Sequence, residues 1–203
     1  MFNGIPEEDI IMAPYGVDAE RFYRPRQGGG ELRVLFVGEI TQRKGIAQIL
    51  AAAKRLSNQN MTFDLVGGGA GHHRDLFAPY EKYVNFRGRL SGDEVVEAFN
   101  SADVFIFPSM GDGFGLVILE AMSAGLPVIC SSNCAGRDIV RDGENGFVIP
   151  PGDADSLVER LVWLDTHRES LAQMGESARV TAQTYTWGRY EQAIADGLDR
   201  VFR

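Results

Sequence analysis

A doubly wound parallel α/β sheet is the fold this sequence predicts, on three observations. Short continuous apolar runs alternate with segments of helical period along most of the chain. The runs are apolar at successive positions, as strands covered on both faces must be. Helix start and stop signals fall at the same boundaries. With 203 residues, 44% apolar and 24% charged, the chain is long enough to bury a sizeable core and reads as one ordinary globular domain.

The runs at 32–38, 63–68, 84–88, 103–109, 127–132 and 146–150 read as strands. Between them, helical periods cover 45–56, a segment around Asp75 to Lys82, 91–102, the stretch "GDGFGLVILEAMSAG" at 111–125, and a short 136–143. Ser91 with Glu94 makes a capping-box pattern ahead of Val95, and Gly125 followed by Pro127 stops the helix before it. Beyond residue 150 the chain turns wholly helical, through 150–164 to 186–202. There is no internal repeat, and "RPRQGGGE" at 24–31 is the one linker-like stretch.

A net charge of −8 and a pI near 4.9 argue against general nucleic-acid binding, which wants a basic face. No run approaches the roughly 18 to 20 apolar residues of a membrane span, and Met1 to Asp9 lacks the regions of a signal peptide, so a cytoplasmic location is the expectation. Cys130 and Cys134 read as a small buried residue and a loop thiol, because no second Cys/His pair completes a metal site. His72 and His73 fall in a Gly-rich loop as pocket-rim candidates, and His167 stands alone near a helix end.

Two phosphate-binding patterns are excluded. After the "GGGAG" at 67–71, G-x-G-x-x-G would need glycine at 72 or 74, where His72 and Arg74 stand, and no Walker-type G-x-x-x-x-G-K-[ST] occurs. What remains is the helix after Gly111, Gly113 and Gly115. Its first amides, near Gly115, Leu116 and Val117, would face a pocket beyond the strand ends and bind an anion. Apolar residues cover every side of that helix, which predicts burial, yet Glu120 sits in its middle. A buried lone carboxylate needs a partner from the protein or from a ligand.

The block "PSMGDGFGLVILEAMSAGLPVICSSNCAGRDIVRDGENGFVIPPGD" at 108–153 resembles the donor-binding half of the group 1 family of retaining glycosyltransferases, whose GT-B fold faces two Rossmann-like domains. The family hallmark is E-x7-E; here Asp112 fills the first acidic position and Glu120 the second. The resemblance extends to "GVDAERFYRP" (16–25), "FVGEITQRKG" (36–45), "FRG" (86–88) and "YTWGRYEQAI" (185–194). It implies a junction at 1–30, a Rossmann-like nucleotide-sugar domain at 31–185 and a crossover helix at 186–203.

Residue by residue, the resemblance implies that Glu120 accepts hydrogen bonds from the ribose hydroxyls of the donor and that Asp112 touches the transferred sugar. The amides of Phe114, Gly115, Leu116 and Val117, with Gly113 beside them, would hold sugar and phosphate oxygens. Lys44 would neutralise the departing diphosphate, as a transferase without a metal must do with side chains. Gly38 and Gly68 would let the nucleotide approach the strand ends, with base contacts near 67–73 and 87–90. Asp112, Lys44 and Glu120 are thus the expected catalytic set, with no metal and no cofactor. The donor would be UDP-, GDP- or ADP-linked, and the residues do not separate these.

Two positions depart from the family pattern. Glu39 stands where an Arg usually precedes the Lys by five residues, and Arg43 is expected to compensate in part. Asp112 is one methylene shorter than the usual Glu. The resemblance further implies that an acceptor-binding N-terminal domain is missing, that this chain is a C-terminal fragment binding donor without transferring it alone, and that the last helix exposes an apolar face or packs on another copy. Peripheral association with the inner membrane face belongs to the same family picture for a full-length enzyme. Two other classes remain open at the level of residues: a nucleotide-sugar 2-epimerase relative, and a non-catalytic module in which the protein itself satisfies Glu120.

Overall fold

The structure, a computed structural model, describes residues 6, 10–23, 30–69 and 74–202. His72, His73 and most of the linker-like 24–31 lie outside these residues. Six parallel strands form one sheet: β1 (Leu32–Val37), β2 (Met61–Val66), β3 (Asn85–Gly88), β4 (Val104–Phe107), β5 (Val128–Ser131) and β6 (Gly146–Ile149), in the order β3-β2-β1-β4-β5-β6. The chain winds outward from β1 to one edge, then returns to β4 and winds to the other. The reversal between β1 and β4 leaves a crevice at the carboxyl ends of these two strands.

Each strand falls inside its predicted run or within two residues of it, and the apolar runs are buried strands, Val34, Leu35, Phe36, Phe105, Ile106 and Ile129 all being covered, except at the edge strand β3, which is mostly exposed. The helices are α1 (Ala19–Phe22), α2 (Ile46–Arg55), α3 (Arg74–Phe77), α4 (Gly92–Ser101), α5 (Leu116–Ser123), α6 (Gly136–Ile139), α7 (Ala154–Thr166), α8 (Arg168–Ala182) and α9 (Trp187–Val201). The capping box is present, the Glu94 carboxylate accepting the Ser91 N–H at 3.1 Å. Asp153 caps α7 by accepting the amides of Asp155 at 2.9 Å and Ser156 at 3.0 Å. At the far end of the sheet Arg33 grips Asp103, with Nη2 2.9 Å from Oδ1 and Nε 3.1 Å from Oδ2.

Two expectations need correction, and a third is sharpened. The segment at 136–143 is helical only to Ile139, because the Asn145 side chain takes the Arg141 N–H at 2.7 Å and folds the rest into a turn. Cys134 is the loop thiol the sequence suggests, and the fold covers it. It is 5% exposed and donates to the Ser131 carbonyl at 3.2 Å, beneath a wholly buried Cys130 whose thiol is pushed up by hydrogen bonding to Cys134 and by burial. Neither thiol is expected to react with a bulky aromatic disulfide reagent in the native chain, and both should react in denaturant; fast native labelling of either would contradict the burial.

The second correction concerns the carboxyl end. α9 is partly covered by the chain's own residues 10–17: Ile11 packs on Gly197, Tyr15 meets Trp187 and Tyr190 at ring distances of 6.3 and 5.5 Å, and Val17 donates to the Tyr185 carbonyl at 2.9 Å. Leu198, Val201 and Phe202 stay exposed along its last turns. No helix among the described residues is long and apolar enough to cross a membrane.

Candidate functional site

The β1–β4 crevice is a cleft of about 390 Å³, and most of the expected residues meet in it. β1 delivers Val37 and Gly38, β4 ends on Phe107, the turn after β1 brings Lys44, and α5 enters by its first turn. Gly38, Lys44, Asp112, Phe114, Gly115, Leu116, Val117 and Glu120 all line the cleft. Arg43 and Gly113 do not. Gly68 belongs to an adjoining cleft of about 310 Å³ that shares Val37 and Gly38 and continues over the ends of β2 and β3, with Arg89 and Leu90 on its far side.

The entry to α5 explains the anion-binding geometry. Gly115 is the N-cap at φ +75°, a left-handed conformation that a side chain would strain. A Cβ there would also come within 3.3 Å of the Phe107 ring and 3.4 Å of Ile118 Cδ1. The turn therefore stays narrow. Among the described residues, the Ile118 amide bonds the Gly115 carbonyl at 2.8 Å, while those of Leu116 and Val117 find no backbone acceptor. Two N–H donors at the positive end of a helix remain for a ligand's oxygens.

That entry also corrects the expected burial of α5. Ile118, Leu119, Ala121 and Met122 are fully covered, but Leu116 is 39% exposed and Val117 and Glu120 are half-buried. The helix crosses from core to cleft along its length, so its apolar first turn is a wall of the pocket. Burial pushes the Glu120 carboxyl above the ordinary carboxylate range, and the charge of Arg21 pulls it partly back. Among the described residues none donates a hydrogen bond to this carboxylate or pairs with it.

Lys44 is held differently. It ends a short 3₁₀ turn (Gln42–Lys44), its ammonium lies 5.0 Å from the centre of the Phe107 ring, and it bonds Asp112 directly. Arg43 points across the loop instead of into the cleft: its side chain is 59% exposed, donates to the Gly111 carbonyl at 3.0 Å and lies 3.8 Å from Asp112 Oδ2. It props the loop that carries Asp112. Glu39 lines the adjoining cleft and a separate cavity of about 580 Å³ against α2, not the wall beside Lys44. The departure at position 39 thus places no carboxylate among the residues that line the Lys44 cleft.

Two cleft residues escape a reading of the sequence. Tyr15 stands 5.1 Å from Phe114, edge to face, and roofs the cleft beside the α5 entry; nothing in "APYGVD" signals a contact 99 positions away. Phe107 reads as strand core, which it is, and only the fold shows its ring beneath Lys44. Arg89 lies in the 87–90 stretch expected near a base. Among the described residues no three His, Cys, Asp or Glu side chains are grouped to hold a metal ion.

Residues 20–181 match the family model "Glycosyl transferases group 1". The chain is 34% identical over 192 residues to sulfoquinovosyl transferase SQD2 of Arabidopsis thaliana, a match covering 85% of this chain and 36% of that protein. It superposes on sucrose-phosphate synthase from Thermosynechococcus elongatus with a TM-score of 0.81 at 27% identity, over 94% of this chain and 52% of that one. Anabaena HepE, solved in complex with UDP, shares the fold with a TM-score of 0.78 at 20% identity, over 91% of this chain and 56% of that one. The chain thus spans about half the length of these solved relatives, and less of the plant protein.

Proposed function

The chain belongs to the group 1 glycosyltransferase family, and from that premise we propose that its cleft binds the nucleoside-diphosphate sugar of a retaining transferase that needs no metal. One observation carries the reading. A largely buried ammonium, two helix amides and a carboxylate, the last three without a hydrogen-bond partner among the described residues, converge on a single cleft at the point where strand order reverses. Diphosphate, sugar and ribose are chemically matched to those three groups. The nucleotide would run from the cleft over Gly38 into the adjoining space at Gly68 and Arg89, leaving its diphosphate at Lys44 and α5. HepE was solved with UDP, which supports a nucleotide ligand for this fold.

In transfer, each group has a physical task. The Leu116 and Val117 amides and Lys44 stabilise charge as it develops on the departing diphosphate. Glu120 fixes the ribose, and Asp112 orients the sugar. With Asp112 on the sugar and Glu120 on the ribose, the departing phosphate takes the proton of the incoming hydroxyl on the face it leaves, and configuration is retained. The acceptor falls to a partner domain across the cleft, and the exposed Leu198, Val201 and Phe202 of α9 are available to it.

The test is a calorimetric panel of UDP, GDP, ADP and CMP on this chain and on Lys44→Ala. One nucleoside diphosphate at about a hundred times its Kd should stabilise the fold by about 2.7 kcal/mol, and Lys44→Ala should abolish that shift. Undiminished binding by Lys44→Ala, or binding of none of the four nucleotides and none of their sugar conjugates, would remove the reading.

A further inference from the structure

The cleft that should attract a diphosphate carries two carboxylates, Asp112 and Glu120, against the one ammonium of Lys44. That ammonium is already engaged. Lys44 and Asp112 are bonded side chain to side chain, 15% and 12% exposed, on the face of Phe107. Asp112 cannot easily swing away, because its loop is pinned on both sides. Its own N–H donates to the Asn133 carbonyl at 3.0 Å, the Asn133 amide donates back to the Met110 carbonyl at 3.0 Å, and Arg43 holds the Gly111 carbonyl at 3.0 Å.

A bare nucleoside diphosphate entering this cleft brings a terminal phosphate toward a neutralised lysine and a fixed carboxylate. It offers that carboxylate no donor. A glycosylated nucleotide carries one phosphate charge fewer there and presents sugar hydroxyls, which can donate to Asp112 and replace the partner it gives up in Lys44. We propose that Asp112 selects against the bare nucleoside diphosphate, by engaging the Lys44 ammonium in an ion pair and, when a phosphate takes that ammonium, keeping only the exposed Arg43 guanidinium at 3.8 Å unless a sugar is present. The same residue then favours release of the product nucleotide after transfer, because loss of the sugar restores the Lys44–Asp112 pair. This rests on the reading that the diphosphate lies at Lys44.

Asp112→Asn keeps the volume and removes the charge, leaving Lys44 as a largely buried cation without its partner. Titrating UDP with UDP-glucose, GDP with GDP-mannose and ADP with ADP-glucose by calorimetry gives the ratio of bare to glycosylated affinity. In Asp112→Asn the bare nucleotide is expected to bind at least tenfold tighter and its sugar conjugate, which loses its acceptor at Asp112, to gain nothing, so that the ratio moves by about tenfold or more toward the bare form. Asp112→Glu, which keeps the charge, should hold the ratio within threefold of the original.

An unmoved ratio in Asp112→Asn, or weaker binding of the bare nucleotide, overturns the proposal while leaving the functional reading intact so long as Lys44→Ala abolishes binding. If no member of any pair binds the unsubstituted chain, both fall together. A ratio that shifts equally in Asp112→Glu also overturns it, since geometry rather than charge would then be responsible.

Discussion

Glu120→Ala is expected to weaken nucleoside diphosphate binding by at least about a hundredfold, since two hydrogen bonds to a charged acceptor contribute about 3 kcal/mol or more together. The unliganded fold should be as stable as before or slightly more so. This combination follows from the state of the carboxylate: it is half-buried, pushed above its ordinary range by burial, and without a hydrogen-bond donor among the described residues. Such a group costs the apo fold something and returns it only when a ligand arrives. The pH dependence has a defined sign. An acid raised in the folded state keeps its proton there longer than in the unfolded chain, so stability is greatest below the ordinary carboxylate range and declines as pH rises through the window up to the raised value. Glu120→Gln should remove that decline while still losing affinity. A variant that instead loses several kcal/mol of apo stability and never showed nucleotide affinity to lose would point to an internal partner and to the non-catalytic reading.

The anomaly of Glu120 was legible from the residues alone, because a carboxylate in a helix apolar on all sides contradicts its own surroundings. So were the strands β1, β2, β4, β5 and β6, apolar runs that the sheet covers, whereas β3 is polar at Asn85 and Arg87 and mostly exposed. The capping box at Ser91 and the stop at Gly125 were equally plain, since both are set by residues within three or four positions. Lys44 was not: in isolation it is a lysine at a helix entry, and only the family pattern gave it a place. Contacts between distant positions were hidden for a physical reason. Tyr15 against Phe114, Arg43 against Gly111 and Asp112 against Asn133 depend on loops that the sheet brings together, and no local propensity encodes them. The break between α7 and α8 at His167 carried no Gly or Pro to announce it; the imidazole sits flat on Trp163, ring centres 4.4 Å apart, and the backbone turns there at φ −124°, ψ 60°. Helical periodicity overstates the burial of α5, because an apolar face can meet a cleft as well as core, and the first turn of α5 meets a cleft.

Gly45→Ala should cost the fold about 3 kcal/mol or more, from about 1–2 kcal/mol for a left-handed alanine with a steric overlap added to it. Gly45 follows Lys44 at φ +79°, closing the 3₁₀ turn and opening α2. A Cβ there would run into the Pro108 carbonyl oxygen, with the carbonyl carbon at 2.7 Å and the proline Cγ at 3.0 Å. Neither side has room to yield. The Arg43 carbonyl takes the Met110 N–H at 2.7 Å and the Ser109 hydroxyl at 3.0 Å, so the turn after β1 is stitched to the end of β4 beside the clash. Those stitches also set Lys44 over Phe107 and against Asp112, so a backbone shift at position 45 must move the ammonium. Thermal unfolding should therefore fall by about 6 to 12 °C for a domain of this size, and any nucleotide shift should shrink with it. Gly111→Ala is the matched control: it lies in the facing loop, has no positive φ, and a Cβ there meets nothing within 4 Å. Equal melting of the two variants would mean that the turn after β1 is looser than its contacts imply, and that Lys44 is placed by its ion pair with Asp112 instead of by the backbone beneath it.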